Sequence, residues 1–299
     1  MSDGETAGLK LWGVSMVRNE ADIIEAFVRH NLAFLDGLAI LDHNSTDGTL
    51  EVLSRLAAEG LSVARLHTDE VAFFQGSRIT ALARECFQRT GADFAFALDA
   101  DEFIRTPSRE VLERALRQVP AGAHPAGQWQ TFVPTSFQGP FGPHCLRFRL
   151  RREPIARHKV IIPRSFLGRT HEVVSEGNHY IADEHTGKVA PHESIAPDAL
   201  SLAHCPIRSA RQFENKVRLG YEALLAGGKL NDNMAYHWRE VYEDLARGVA
   251  LTDARLRLIA SNYAVPSANW VAAEGIELVD DPVDLRATRG SASSMPAPR

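Results

Sequence analysis

Phe94-Ala95-Phe96-Ala97-Leu98-Asp99-Ala100-Asp101-Glu102 is the stretch on which the fold reading turns. Five apolar residues in a row have no polar face, the pattern of a strand covered on both sides. Three carboxylates then close the run. Side by side at a strand end they repel one another unless a cation or a set of donors is present. A hard divalent metal bridging to a diphosphate would supply that cation.

Upstream of this stretch, strands and helices alternate. Leu11 to Val17 is apolar and β-rich. Asn19 is expected to cap a helix, with Glu20 and Asp22 in its first turn. Ile23, Ile24, Phe27, Val28, Leu32 and Leu35 carry the helical spacing, and Asp36-Gly37 ends it. Leu38 to Leu41 is a second strand. Thr46 or Asp47 is expected to cap the next helix, which carries Leu50, Leu53 and Leu56 and closes at Gly60. Leu61 to Leu66 is a third strand, and Arg78 to Arg89 reads as a helix closed by Gly91.

Short strands alternating with helices predict a layered α/β sheet with parallel pairing. Such sheets bind ligands beyond the carboxyl ends of their strands. The residues at those ends are polar: Arg18-Asn19-Glu20, Asp42-His43-Asn44, His67-Thr68-Asp69, and the Asp99 cluster.

Composition narrows the function classes. The 299 residues are 44% hydrophobic and 24% charged, ordinary for a soluble globular protein. Lys and Arg number 33 against 38 Asp and Glu, a net charge of -5, which argues against general nucleic-acid binding. Cys86, Cys145 and Cys205 are too few and too scattered for a disulfide framework or a zinc site, and fit a reducing compartment. The opening MSDGETAGLK lacks the apolar core of a signal peptide, and no run of 18 apolar residues is present. No transmembrane segment is expected, and the expected address is the cytoplasm.

After Val119 the pattern changes. Segment 120–207 is rich in Pro, Gly, His and Arg, with β-like runs at Gln130 to Val133, His158 to Ile162, His171 to Ser175 and Leu200 to Ala203. From Ser209 the chain turns helical through Phe213, Val217, Tyr221 and Leu224, then through Tyr236 to Leu245. Residues 286–299 are small and polar, and are expected to be disordered. Arg147, Arg149 and Arg151 alternate, so a strand there would put three arginines on one face, able to hold an anionic acceptor or a leaving diphosphate. A solvated basic face reads equally from the same pattern.

Three ordered motifs resemble the family 2 glycosyltransferases, which have a nucleotide-diphospho-sugar-binding GT-A fold. They are Val14-Ser15-Met16-Val17-Arg18-Asn19-Glu20, Ile40-Leu41-Asp42-His43-Asn44-Ser45-Thr46-Asp47-Gly48-Thr49, and Gly91-Ala92-Asp93 through Phe96-Ala97-Leu98-Asp99-Ala100-Asp101-Glu102. The likeness covers roughly residues 11–115, with His43 where the family commonly has a second Asp. The second half looks like a bacterial family-2-like subgroup, through Gly177-Asn178-His179 and His204-Cys205-Pro206-Ile207-Arg208-Ser209.

The resemblance implies an α/β fold of GT-A type: a Rossmann-like, mostly parallel sheet flanked by helices, a mixed β acceptor half, and a helical carboxyl-terminal region. Residues 1–119 would be the nucleotide-sugar-binding half, 120–207 the acceptor half, and 208–285 the helical region. The implied activity is transfer of a sugar, with inversion, from a nucleotide-diphospho-sugar to a glycan or other hydroxyl acceptor, assisted by Mn2+ or Mg2+.

Asp99, Asp101 and His204 would hold the metal. Imidazole suits manganese, and the Leu200 to Ala203 run would deliver His204 to the sheet edge. Asn19, Glu20 and Asp42 would hold the nucleoside, with Asp99 beside the donor. Arg84, at the family's Ala-Arg-Asn position, would approach the diphosphate; Arg78, six residues earlier, lies on another helix face. The general base would be Glu172 or Glu176, with Asp183 behind them, and no spacing rule selects among these.

Two other classes remain in view at this level. One is a nucleotide- or glycan-binding protein without catalysis. The other is a phosphoryl-transfer enzyme using the Asp-x-Asp pair, disfavoured because Glu102-Phe103 follows where a Gly-Thr-like turn is wanted. A dinucleotide oxidoreductase is disfavoured too, since no G-x-G-x-x-G follows the first strand.

Overall fold

Every residue of the first strand, β1 (Leu11–Val17), is buried, as a central strand of a two-sided sheet requires. A computed structural model describes residues 8–228 and 236–285. After β1 come α1 (Ile24–Asn31), β2 (Gly37–His43), α2 (Thr49–Ala58), β3 (Val63–Thr68), α3 (Gln75–Thr90), β4 (Phe94–Ala97), β5 (Glu102–Arg105) and α4 (Arg109–Arg117). The chain continues through β6 (His124–Thr131), β7 (Phe148–Leu150), β8 (His158–Pro163), β9 (Glu172–Val174), β10 (Ile181–Asp183), β11 (His192–Ser194) and β12 (Ser201–His204). It ends with α5 (Ala210–Ala226), α6 (Tyr236–Ala246), α7 (Asp253–Ser261) and β13 (Leu278–Asp280).

The main sheet runs β3-β2-β1-β4-β8-β6-β12-β5, with β11 paired to β6. Neighbours β3, β2, β1 and β4 are parallel, as are β6 with β12 and with β11. Strand β8 runs against β4 and β6, and β5 runs against β12. The expected class, a mostly parallel α/β sheet flanked by helices, is therefore what the chain forms. Residues from both sides of position 119 build this one sheet.

Alternation along β1 divides the core. Leu11 and Val17 pack with Phe27, Leu53 and Leu112 of α1, α2 and α4. Trp12, Val14 and Met16 pack with Ile79, Leu82 and Phe87 of α3. A third cluster joins Phe213 and Val217 of α5 to Val241, Leu256 and Ile259 of α6 and α7.

Strand order sets the position of the site. The chain adds β2 and β3 on one side of β1 and then places β4 on the other. At such a switch the connections diverge and leave a crevice beyond the strand ends. Arg18-Asn19-Glu20 follows β1, and Asp99-Ala100-Asp101 follows β4.

Two expected caps are corrected. Helix α1 begins at Ile24, with no side-chain cap. Asn19 instead has φ +56° and accepts a hydrogen bond from Thr46 N at 2.7 Å, tying the β1 turn to the β2 turn. Gly48 holds the cap position of α2 in the left-handed region, and Asp47 accepts from Thr49 N at 3.1 Å from one residue further out. The expected tail at 286–299 lies outside the described residues.

Candidate active site

Strand β12 lies between β5 and β6, with His204 opposite Glu102 on one side and Thr131 on the other. Cys205 N donates to the carbonyl of Asp101 at 3.0 Å, which locks this register. Residues 103 positions apart therefore meet: His204 Nε2 lies 3.7 Å from Asp101 Oδ1. Both side chains are buried. The His204 ring stacks on Trp129 with centroids 4.0 Å apart, and Tyr263 meets it edge-on at 5.4 Å. Burial pushes the imidazole down to about 3, and Lys216 and Lys159 push the same way against Asp101, so the ring is neutral at pH 7. Neither its Nδ1 nor Asp101 Oδ1 has a hydrogen-bond partner among the described residues.

The three carboxylates at this strand end are balanced by two lysines and a proton. Lys216 Nζ from α5 sits 2.5 Å from Asp101 Oδ2. Burial opposes ionisation of Asp101, but the charges of Lys216 and Arg208 outweigh it and hold the carboxyl below the usual range. Lys159 of β8, itself buried, is hydrogen-bonded to Asp99 Oδ2 and lies 3.3 Å from Glu102 Oε1. Glu102 is fully buried, accepting from Trp129 Nε1 at 2.5 Å and from Asp99 N at 2.9 Å. Burial, with Asp99 and Asp101 adding to it against Lys159, pushes its carboxyl up to about 8. At pH 7 Glu102 is therefore mostly protonated, which relieves the repulsion without a third cation.

The Gly177-Asn178-His179 segment has a structural explanation. Asn178, buried and at φ +59°, donates from Nδ2 to Asp99 Oδ1 at 3.2 Å, and Gln75 Nε2 donates to the same oxygen at 2.8 Å. Gly177 N donates to Gln75 Oε1 at 3.0 Å, so this turn and the start of α3 hold Asp99 between them. Gly177 has φ +76°, and a Cβ there would stand 2.8 Å from His179 Nε2. His179 packs edge-on to Trp129 at 5.3 Å. Burial, with Lys159 adding to it, lowers its imidazole to about 4.

Arg208 ties the other wall together. It is buried and makes a two-pronged pair with Asp22, Nε to Oδ2 at 2.8 Å and NH2 to Oδ1 at 2.9 Å. Its NH2 also reaches Glu20 Oε2 at 2.5 Å. Burial raises the Glu20 carboxyl, and Arg208 and Lys216 oppose that. Ser209 caps α5 by accepting from Gln212 N at 3.2 Å, which aims Lys216 two turns later at Asp101.

These groups line a cleft of about 350 Å³. Asn19, Glu20, Asp99, Asp101, His204 and Glu176 are all on its wall. Glu176 also accepts from Gly76 N at 3.2 Å, at the start of α3. Three of the expected site residues are not on the wall. Asp42 is fully buried below it, accepting from Ser45 N at 3.1 Å and His67 Nδ1 at 2.9 Å, with Oδ1 unpartnered among the described residues. Arg84 donates to the carbonyls of Arg169, Thr170 and Glu172 and so fastens the approach to β9. Glu172 pairs with Arg169 at 3.3 Å.

The alternating arginines are each paired with a carboxylate. Arg147 pairs with Asp280, Arg149 with Asp281 and Arg151 with Glu277, at 2.9, 2.6 and 2.8 Å. They seal β13 against β7, with which it pairs antiparallel.

Lys159, Lys216, Trp129 and Tyr263 were not singled out by the sequence reading of the site. One signal for Lys216 was present: it stands three residues after Phe213, on the face of α5 that also carries Val217. Lys159 reads as part of a basic surface run, yet β8 is a buried strand.

No protein-family model matches the chain, and no curated protein matches it. Among solved structures, the chain is similar to a mannosyltransferase from Pyrobaculum calidifontis in complex with GDP-Man and Mn2+, at 18% identity over 88% of this chain and 78% of that one, with a TM-score of 0.41. It is also similar to a putative glucose-1-phosphate thymidylyltransferase from Bacillus anthracis, at 9% identity over 74% and 96%, TM-score 0.36. A third is glucosyl-3-phosphoglycerate synthase from Mycobacterium tuberculosis, at 16% identity over 43% and 46%, TM-score 0.27. Identities this low leave the chemistry of the site to its own residues.

Proposed function

We propose that the chain is a glycosyltransferase that moves a sugar from a nucleotide-diphospho-sugar to an acceptor hydroxyl, with inversion and with a divalent cation bound. The observation that carries this reading is the meeting, at 3.7 Å in the switch-point cleft, of Nε2 of neutral His204 with Asp101 Oδ1, a buried oxygen with no hydrogen-bond partner among the described residues.

That pair fits a divalent cation such as Mn2+, for which carboxylate oxygen and imidazole nitrogen are suitable donors. Asp99 fits less directly, because its oxygens already accept from Gln75, Asn178 and Lys159. When bound, the ion would neutralise charge developing on the departing diphosphate. Lys216 lies beside the same group and adds a fixed cation that needs no reorganisation. Asn19 and Glu20 would face the nucleoside from the β1 turn, with Asp42 beneath supporting the loop through Ser45 and His67. Glu176, the base candidate on the cleft wall, would take the proton of the acceptor hydroxyl as that oxygen attacks the anomeric carbon.

The test is a panel of nucleotide-diphospho-sugars incubated with the full chain and Mn2+. Release of nucleoside diphosphate that needs both metal and Asp101 is the expected result. Absence of turnover and of metal-dependent binding across UDP-, GDP- and dTDP-sugars would overturn the reading.

A further inference from the structure

A second cluster of metal-binding side chains lies outside the cleft. Strands β9 and β10 form a two-stranded antiparallel hairpin, with Ile181 opposite Val174 and Asp183 opposite Glu172. Its connecting turn is the 176–178 segment on the cleft wall. At the open end, Glu184 N donates to the carbonyl of His171 at 2.8 Å, which continues the pairing one step further. His171, Glu184 and His185 meet there, with all three donor atoms within 4.8 Å of one another.

Their separations are specific. His185 Nε2 is 3.0 Å from His171 Nδ1, and Glu184 Oε1 is 3.9 Å from His171 Nδ1 and 3.8 Å from His185 Nε2. A hydrogen bond between two neutral rings would account for the first contact. Glu184 stands within ion-pair range of both nitrogens but beyond hydrogen-bond distance, so its carboxylate faces the same point as the two rings without bonding to either. One ion placed among the three donor atoms would be within reach of all of them. The circle through the three donor atoms has a radius of about 2.1 Å, the bond length of zinc to imidazole nitrogen and carboxylate oxygen. Two imidazoles and one carboxylate are a donor set that suits zinc and similar borderline divalent ions, with water completing the shell.

The backbone prepares this arrangement. Asp183 accepts from His185 N at 3.1 Å and Thr186 N at 2.8 Å, so the turn that presents His185 is fixed. We infer that His171 Nδ1, His185 Nε2 and Glu184 Oε1 bind one zinc-class divalent ion that clasps the open end of the β9–β10 hairpin. The ion is distinct from the one proposed for the cleft, and the hairpin's other end carries Glu176 and Asn178.

The test uses the full chain with any affinity tag removed and bound metal stripped by chelator. Calorimetric titration with zinc chloride is run on wild type, on His171→Ala/His185→Ala and on Asp101→Ala. Asp101→Ala, whose cleft has lost its carboxylate, is expected to keep one saturable zinc site; wild type should show that same site besides any uptake in the cleft, and the site should be weakened about tenfold or more in the double variant. The melting temperature of the double variant without metal should match wild type, since both rings are exposed. Zinc binding unchanged in the double variant, absent from wild type, or lost only in Asp101→Ala would overturn the assignment.

Discussion

Lys216 Nζ lies 2.5 Å from Asp101 Oδ2 although the two residues are 115 positions apart, and the carboxylate it meets is 2% exposed. The pair makes Asp101 an anion inside the protein and leaves its other oxygen facing His204.

Removing the ammonium strands that anion. Lys216→Met is expected to lower unfolding free energy by about 3 kcal/mol at pH 7, the usual scale for breaking one side of a buried pair. Asp101→Asn/Lys216→Met together should cost less than the sum of the singles, because the cycle removes both charges. Urea titrations of the four proteins check this; additive losses would mean that the pair is solvated.

Asp101→Asn keeps the shape of the carboxylate and removes its charge. Metal-dependent turnover of the nucleotide-sugar should fall at least about a hundredfold, the order seen when a stabiliser of developing charge is lost. Retained activity with an unchanged Mn2+ response would remove Asp101 from the site.

The two base candidates separate cleanly. Glu176→Gln is expected to lower kcat by about 10²–10⁴ while donor binding changes little. Glu172→Gln, at the Arg169 pair off the cleft, should leave kcat near wild type. Steady-state kinetics with donor affinity measured separately distinguishes these outcomes from their reverse.

Gly76, the second residue of α3, packs against the β9 backbone. A Cβ there would stand 2.4 Å from the carbonyl of Val174 and 3.2 Å from Glu176 N. Backbone cannot turn aside as a side chain can, so Gly76→Ala should cost about 1–3 kcal/mol and displace the 176–178 turn. A lower melting temperature together with a lower kcat is expected; an unaffected kcat would show that the turn's placement does not matter to the reaction.

His124 is 1% exposed, and burial lowers its imidazole to about 4. The unfolded side chain titrates near 6.5, so between roughly pH 6.5 and 4 the unfolded state binds the extra proton. The sign follows: this contribution is intact above pH 6.5 and shrinks as pH falls, by at most about 1.4 kcal/mol per pH unit. His124→Gln should flatten the stability curve across that window, as read from denaturation at pH 7.0, 6.0 and 5.0. An unchanged slope would mean that the ring titrates normally in the fold.

The first four strands and their helices are legible because their apolar runs are long and their breaks are polar. Strand β6 is not. Its His124-Pro125-Ala126-Gly127-Gln128 segment has little intrinsic strand preference, and it is buried because β8 and β12 enclose it. Helix α4 is legible as well, through Val111, Leu112, Ala115 and Leu116 at helical spacing behind the Ser108 cap. Within the site, the carboxylates announce themselves by clustering at a strand end. Their counter-ions do not, since a lysine in sequence is ordinarily a surface residue and only the pairing of distant strands makes Lys159 an interior one.

The charge balance also has an order in time. Glu20, Asp22, Asp99, Asp101 and Glu102 are all made before the chain has produced Lys159, Arg208 or Lys216. An emerging chain grows at about 5–20 residues per second, so the acidic residues wait several seconds for their cations. During that interval the amino-terminal half carries a strand edge of uncompensated carboxylates, which water must solvate. The sheet that encloses them is complete only once β8 and β12 have been made, and Lys216 follows the end of β12 by 12 residues.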